Sequence, residues 1–151
     1  MHWHTLSFAE LTTVQLYELL QLRVEVFVVE QNCPYPELDG KDCLPETLHL
    51  LGVNDQGELQ AYARLLAPGV SYAEVSIGRV LVRDSARGQG IANQLMQQAL
   101  SECQRVWPAQ AIQIGAQQYL AQFYQQFGFQ LVSEMYLEDG IPHVDMLRAA
   151  P

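Results

Sequence analysis

A mixed α/β (α+β) fold, with a central sheet covered by helices on both faces, follows from three features of the 151-residue sequence. Short apolar runs alternate with longer runs of helical period. Three of the apolar runs stand in succession between residues 48 and 82 with only turns between them. A glycine-containing turn then joins the last of these to a long amphipathic stretch, as in proteins that layer helices on a sheet. With 49% hydrophobic residues the chain can bury one sizeable core, so one domain over residues 1–151 is expected.

Residues 3–8 are a short mixed run that reads as the first strand. Thr12 or Thr13 offers an N-cap to a helix whose apolar residues Val14, Leu16, Leu19, Leu20, Leu22, Val26 and Phe27 recur close to every ~3.6 positions. That helix should fade near Gln31 and stop before Pro34, whose ring biases Cys33 out of the helical region. Pro34, Pro36, Asp39, Gly40 and Asp42 make the text up to Pro45 a long loop with room for one helical turn. Leu48–Val53, Leu59–Leu66 and residues 75–82 read as three strands, turning at residues 54–57 and 67–69, and the first two form a hairpin. Residues 88–107 are helical, with Ile91, Leu95, Met96, Ala99, Leu100 and Cys103 on one face, and Pro108 ends them. A strand at 112–116, a short helix at 119–127 closed by Gly128, and strands at 129–136 and 143–147 complete the order.

A net charge of −9 opposes binding to nucleic acid or to an anionic membrane surface and favours cationic ligands. Cys33, Cys43 and Cys103 are an odd set with no CxxC pair and no zinc-like spacing, so free thiols in a reducing cytoplasm are expected, with no metal site. Met1-His2-Trp3-His4-Thr5 lacks the basic and apolar regions of a secretory signal. No apolar run approaches the ~20 residues that span a bilayer, so a soluble, unexported protein is expected.

The decisive text is Val80-Leu81-Val82-Arg83-Asp84-Ser85-Ala86-Arg87-Gly88-Gln89-Gly90-Ile91-Ala92: an apolar strand, a short loop, two glycines and a helix. Glycine lets the backbone approach a ligand closely, and the first amides of a helix lack intrahelical acceptors and carry partial positive charge. Such a turn is suited to phosphate. A P-loop would need lysine after the second glycine, and the dinucleotide fingerprint would need GxGxxG; this sequence has neither. A helix start with no ligand is the plain alternative at this point.

Arg87-x-x-Gly90-x-Ala92 matches the [RQ]-x-x-G-x-[GA] motif of the GCN5-related N-acetyltransferases (GNAT), with a strand before it where that family has one. Downstream, Phe123-Tyr124-Gln125-Gln126-Phe127-Gly128-Phe129 is similar to the family's FYxxxGF segment. Arg23-x-x-Val26-Phe27-Val28-Val29-Glu30-Gln31-x-Cys33-Pro34-Tyr35 and Asp139-Gly140-Ile141-Pro142-His143-x-x-Met146 resemble the ElaA-type bacterial members, and the resemblance covers nearly the whole chain. It implies the GNAT fold, a mostly antiparallel sheet with one splayed parallel pair. It also implies acetyl-CoA as co-substrate, and transfer of acetyl to a primary amine, of a small molecule or a lysine side chain, by direct attack in a ternary complex. One departure is Gln117, where many relatives carry Asn; the longer amide can still reach the cofactor arm.

By the same resemblance, Val80, Leu81 and Val82 splay from their parallel neighbour and offer backbone groups to the pantetheine arm. The pyrophosphate rests on Gly88, Gln89, Gly90, Ile91 and Ala92, with Arg87 shaping the loop or adding charge at its rim. Transfer needs a neutral amine, a donor for the oxyanion and an acid for the departing thiolate. Tyr124 takes the acid role, and the Leu81 amide is the expected oxyanion donor. Ser76 stands where some relatives carry a catalytic glutamate. Glu74, on the same strand parity, is either a substitute base or a surface carboxylate.

Glu30, Asp39, His49 and His143 are the expected acceptor-site residues. The acidic loop after the first helix borders the acceptor pocket in this family and would draw in an amine. The histidines suit proton relay near neutral pH, and a satisfied core histidine is the plainer reading of each. Two other functions compete. Arg23, Phe27, Asp39, Asp42 and Arg64 resemble the spacing of acyl-homoserine-lactone synthases, although the tryptophan expected after the phenylalanine is missing. A non-catalytic acyl-CoA sensor would explain Ser76. Homodimers are frequent among such folds, and no segment identifies an interface.

Overall fold

The computed structural model describes residues 1–151. The chain begins with β1 (His2–Ser7) and turns into α1 (Thr13–Val24). Thr12 is the cap: its hydroxyl accepts from the Gln15 amide at 3.1 Å, and the Gln15 side chain accepts from the Thr12 amide at 2.9 Å. This reciprocal box satisfies amides that the helix itself cannot. Residues Glu25–Glu30 continue α1 as a wider π-helical turn, and the Cys33 amide closes onto the Val28 carbonyl at 3.0 Å.

Strands β2 (Leu48–Val53), β3 (Leu59–Leu66) and β4 (Ser76–Val82) follow, and with β1 they form an antiparallel sheet in the order β1-β2-β3-β4. Next come α2 (Ile91–Val106), β5 (Ile112–Gln117), the short α3 (Ala121–Gln125), β6 (Gln130–Leu131), β7 (Tyr136–Glu138) and β8 (Ile141–Arg148). The later strands make a second antiparallel group, β5-β8-β6, with β7 also on β8. The two halves touch through a single parallel bridge, Val75 to Ile112, where the Gln113 amide donates to the Val75 carbonyl at 2.9 Å. Beyond that apex β4 and β5 diverge, giving the splayed parallel pair.

One apolar cluster lies between the sheet and α2 and α3, with Ala61, Ala63, Leu65, Leu95, Met96, Ala99 and Met146 among its members. A second, including Leu19, Leu22, Val26, Leu51 and Tyr62, lies under α1 on the opposite face. The expectation of helices on both faces therefore holds.

Boundaries differ from the sequence reading for local reasons. The helix expected from residue 88 starts at Ile91, because Gly88 and Gly90 stand at φ +79° and +77°, outside the right-handed helical region. The strand expected at 129–136 is two short strands, β6 and β7, separated by residues 132–135. The last strand begins at Ile141 rather than 143, because Asp139 and Gly140, both at positive φ, form a tight two-residue hairpin turn.

Candidate active site

The divergence of β4 and β5 opens a cleft of about 940 Å³. The glycine loop and the start of α2 line one end, the π-helical turn and the following loop one wall, and β5, α3 and the β7–β8 hairpin the other. Of the expected residues, Val80, Leu81, Val82, Arg87, Gly88, Gly90, Ile91, Ala92, Gln117, Tyr124, Glu30, Asp39 and His143 line it. Gln89, His49 and Glu74 do not.

At the glycine end, no amide from Gly88 to Asn93 finds an acceptor in the chain, and Gly90 caps α2 with no side-chain hydrogen bond. A Cβ built at Gly88 or at Gly90 would meet no atom within 4 Å. The result is an open nest of donors at the positive end of a helix, the arrangement that receives an anionic diphosphate. Arg87 is not a freely solvated cation. Its Nε donates to the Val82 carbonyl at 3.0 Å, and its Nη1 lies 3.0 Å from Glu30 and 3.4 Å from Asp84.

Along β4 the register decides which amides are free. The Arg83 amide donates to the Gln60 carbonyl at 2.7 Å, and Leu81 pairs with Tyr62. Alternation along an antiparallel ladder therefore directs the Leu81 amide at β3 and turns those of Val80 and Val82 to the cleft. The Leu81 amide, expected as an oxyanion donor, is therefore taken up by the sheet, and those of Val80 and Val82 are the ones left open to the cleft. A bulge lies just before them: Tyr62 pairs with Leu81, but Arg64 pairs with Gly78, and Arg79 within the extra length stands at φ +50°.

Arg79 is a cleft-lining residue that the sequence reading missed; a lone arginine in the apolar text Ile77-Gly78-Arg79-Val80-Leu81 was its signal. Its Nε donates to Glu37 at 2.7 Å and its Nη2 to the Glu37 carbonyl at 3.0 Å, while the guanidinium lies 5.9 Å from the Tyr35 ring. Glu37 is also held by Arg23, which bonds Asp42 at 2.6 Å; Asp42 in turn receives Arg64 at 3.2 Å. This network ties α1, the acceptor-side loop, β3 and the β4 bulge together. Burial by itself would raise the Asp39 and Asp42 carboxyls, yet Arg64 beside the first and Arg23 beside the second hold both below the ordinary carboxylate range.

The pairing corrects several acceptor-site expectations. Asp39 lines the cleft but is committed to Arg64 through two contacts of 2.8 Å, and Glu30 is committed to Arg87, so neither is an unpaired carboxylate waiting for an amine. His49 is fully buried, with Nδ1 2.7 Å from the Tyr62 hydroxyl and Nε2 3.1 Å from the Asp42 carbonyl; burial pushes its imidazole pKa down. It is a satisfied core histidine. Glu74 precedes β4, on the far side of the Val75–Ile112 bridge, where the strands have not yet separated, so it is not placed to act as a base. Ser76 does line the cleft, at the first position of β4.

Tyr124, in α3, is 7% exposed and packs edge-on against Phe123 and Phe129. Its hydroxyl has no hydrogen-bond partner in the chain, and burial pushes its pKa above the ordinary phenol value, so it is a protonated donor at the cleft wall. Gln117 ends β5 and donates to the Gln31 side chain at 3.3 Å, bridging the two walls. At the hairpin, His143 bonds the Ile141 carbonyl and Cys33 donates from Sγ to the Asp139 carbonyl at 3.5 Å.

Fold and cleft together are those of a GNAT acyltransferase, and comparison with known proteins agrees. The family described as an acetyltransferase (GNAT) domain matches residues 21–149, and the chain belongs to it. The chain is 48% identical to Escherichia coli protein ElaA over 148 residues, 98% of this chain and 96% of that protein. The crystal structure of Escherichia coli ElaA superposes with a TM-score of 0.90 over 98% of this chain and 99% of that one. The structure of an acyl-CoA N-acyltransferase from Pseudomonas aeruginosa does so with a TM-score of 0.93 at 49% identity, again over 98% and 99%.

Proposed function

We propose that the protein transfers the acetyl group of acetyl-CoA to a primary amine by direct attack, with Tyr124 as the acid. The observation that carries this reading is the pairing of two unsatisfied donor sets in one cleft: the free amides of Gly88 to Asn93 at one end and the unpartnered Tyr124 hydroxyl along its wall. The first set suits the diphosphate of coenzyme A, and the open edge of β4 suits its amide-bearing arm. Gln117 remains within this wall as a side-chain contact for that arm. The amine nitrogen attacks the thioester carbon, and the oxyanion is met by the outward amide of Val80 or Val82. When the C–S bond breaks, Tyr124 gives its proton to the departing sulfur.

The lactone-synthase reading has less support, because Arg23, Asp39, Asp42 and Arg64 pair with one another in the buried network, which leaves only the Arg64 Nε without a partner. The deciding experiment mixes the purified protein with acetyl-CoA and a panel of alkyl amines and lysine peptides and follows free thiol. Amine-dependent thiol release is expected; tight coenzyme A binding without release for any amine would replace the enzyme with a sensor.

A further inference from the structure

We infer that His143 is the general base of the transfer, a role that rests on the acyl-transfer reading above. It is the one histidine that lines the cleft. On β8 it sits opposite Gln117, at the open end of the splay, while its neighbour Val144 turns into the core.

Three contacts prepare the ring. Nδ1 lies 2.7 Å from the Ile141 carbonyl, an acceptor only, so this nitrogen carries the N–H and the neutral ring keeps its lone pair on Nε2. Nε2 lies 3.5 Å from a Glu138 carboxylate oxygen, which would face the positive charge once a proton arrives. The ring is stacked on Tyr136 at 6.0 Å and 25°, and the Tyr136 hydroxyl is itself anchored on Asp145 at 2.7 Å. A fixed tautomer, a carboxylate for the cationic form and a clamped ring plane are the equipment of a general base. Among the other carboxylates, Glu30 and Asp39 are paired with arginines, Glu138 is the partner of the ring itself, Asp139 stands exposed at the hairpin tip, and Glu74 is outside the cleft.

In the step, an alkylammonium nitrogen gives one proton to His143 Nε2, and the lone pair so freed forms the N–C bond to the acyl carbon. The C–S bond then breaks and the sulfur takes the Tyr124 proton. The phenolate takes a proton from the acylated nitrogen and His143 releases its own to solvent, so ammonium plus thioester become amide, thiol and one proton with both side chains restored. The titratable groups around His143 are Glu138 and Tyr136 on β7, Asp139 at the hairpin tip with Cys33 bonded to it, and Asp145 with its second donor Tyr72. From β5 the paired residue is the neutral Gln117.

The test compares two acceptors in wild type and in His143→Gln: an alkylamine, protonated at neutral pH, and an alkoxyamine, already neutral there. The variant should lose on the order of 100-fold in kcat/KM with the alkylamine and less than about tenfold with the alkoxyamine, with coenzyme A affinity unchanged. Imidazole added to His143→Ala should restore part of the alkylamine rate. Equal losses with both amines would make His143 structural, and no loss with either would remove it; both overturn the proposal. Should the His143 variants fail to fold, Glu138→Gln at the exposed partner of Nε2 decides: it should lower kcat/KM with the alkylamine by about fivefold or more and much less with the alkoxyamine, and an equal loss or none sinks the assignment. Wild type inactive with every amine would instead overturn the transferase reading itself.

Discussion

Replacing Tyr124 by Phe separates chemistry from folding with little ambiguity. The substitution deletes one oxygen whose hydrogen-bond capacity the chain leaves unused, and it keeps the ring that meets Phe123 at 5.2 Å and Phe129 at 6.1 Å. No intramolecular hydrogen bond is lost and the hydroxyl opens on the cleft, so stability should stay within about 0.5 kcal/mol of wild type. Loss of a general acid should lower kcat by about 100-fold, roughly 2.7 kcal/mol of transition-state stabilisation. Burial holds the phenol protonated beyond its ordinary range, so the wild type should show no decline from this group below about pH 10. The assay is steady-state thiol release, alongside calorimetry with coenzyme A and a thermal melt. An unchanged kcat would refute the reasoning, and so would a fall in kcat that merely tracks a lower Tm or weaker cofactor binding.

Four further outcomes are expected. Gly90→Glu should weaken coenzyme A on the order of 100-fold in calorimetry, because it sets a carboxylate among the free amides where φ is +77°. Asp42→Ala should cost about 3–5 kcal/mol in urea unfolding, since it leaves the fully buried Arg23 and the nearly buried Arg64 short of a counter-charge. Asp39 and Asp42 have folded pKa values below their ordinary 3.8, so they bind fewer protons folded than unfolded; the stability they supply is present above that pH and lost as pH falls through the folded values. Acid melts should therefore drop below about pH 4 in wild type and drop less in Asp42→Ala. Glu74→Gln should leave kcat within about twofold of wild type, because Glu74 does not reach the cleft.

Much of the fold was legible because the signals are local. Helical spacing marked α1 and α2, alternation and turn residues marked β2 and β3, and paired glycines announced the donor nest before α2. The site was legible where backbone chemistry or a contiguous motif defines it, as at Gly88 to Ala92 and at Tyr124 within its aromatic segment. Tertiary structure alone decided which charges are free. Arg23, Glu37, Asp39, Asp42, Arg64 and Arg79 come from α1, a loop and two strands, and nothing in their spacing says that they neutralise one another; only their convergence in a low-dielectric interior, where an unpaired charge is costly, pairs Asp39 with Arg64 at the cleft wall. Register was hidden for the same reason. A single extra residue at Arg79 and the pairing of Leu81 with Tyr62 settle which β4 amides face the cleft, and such pairing is a relation between strands that no single stretch of sequence contains.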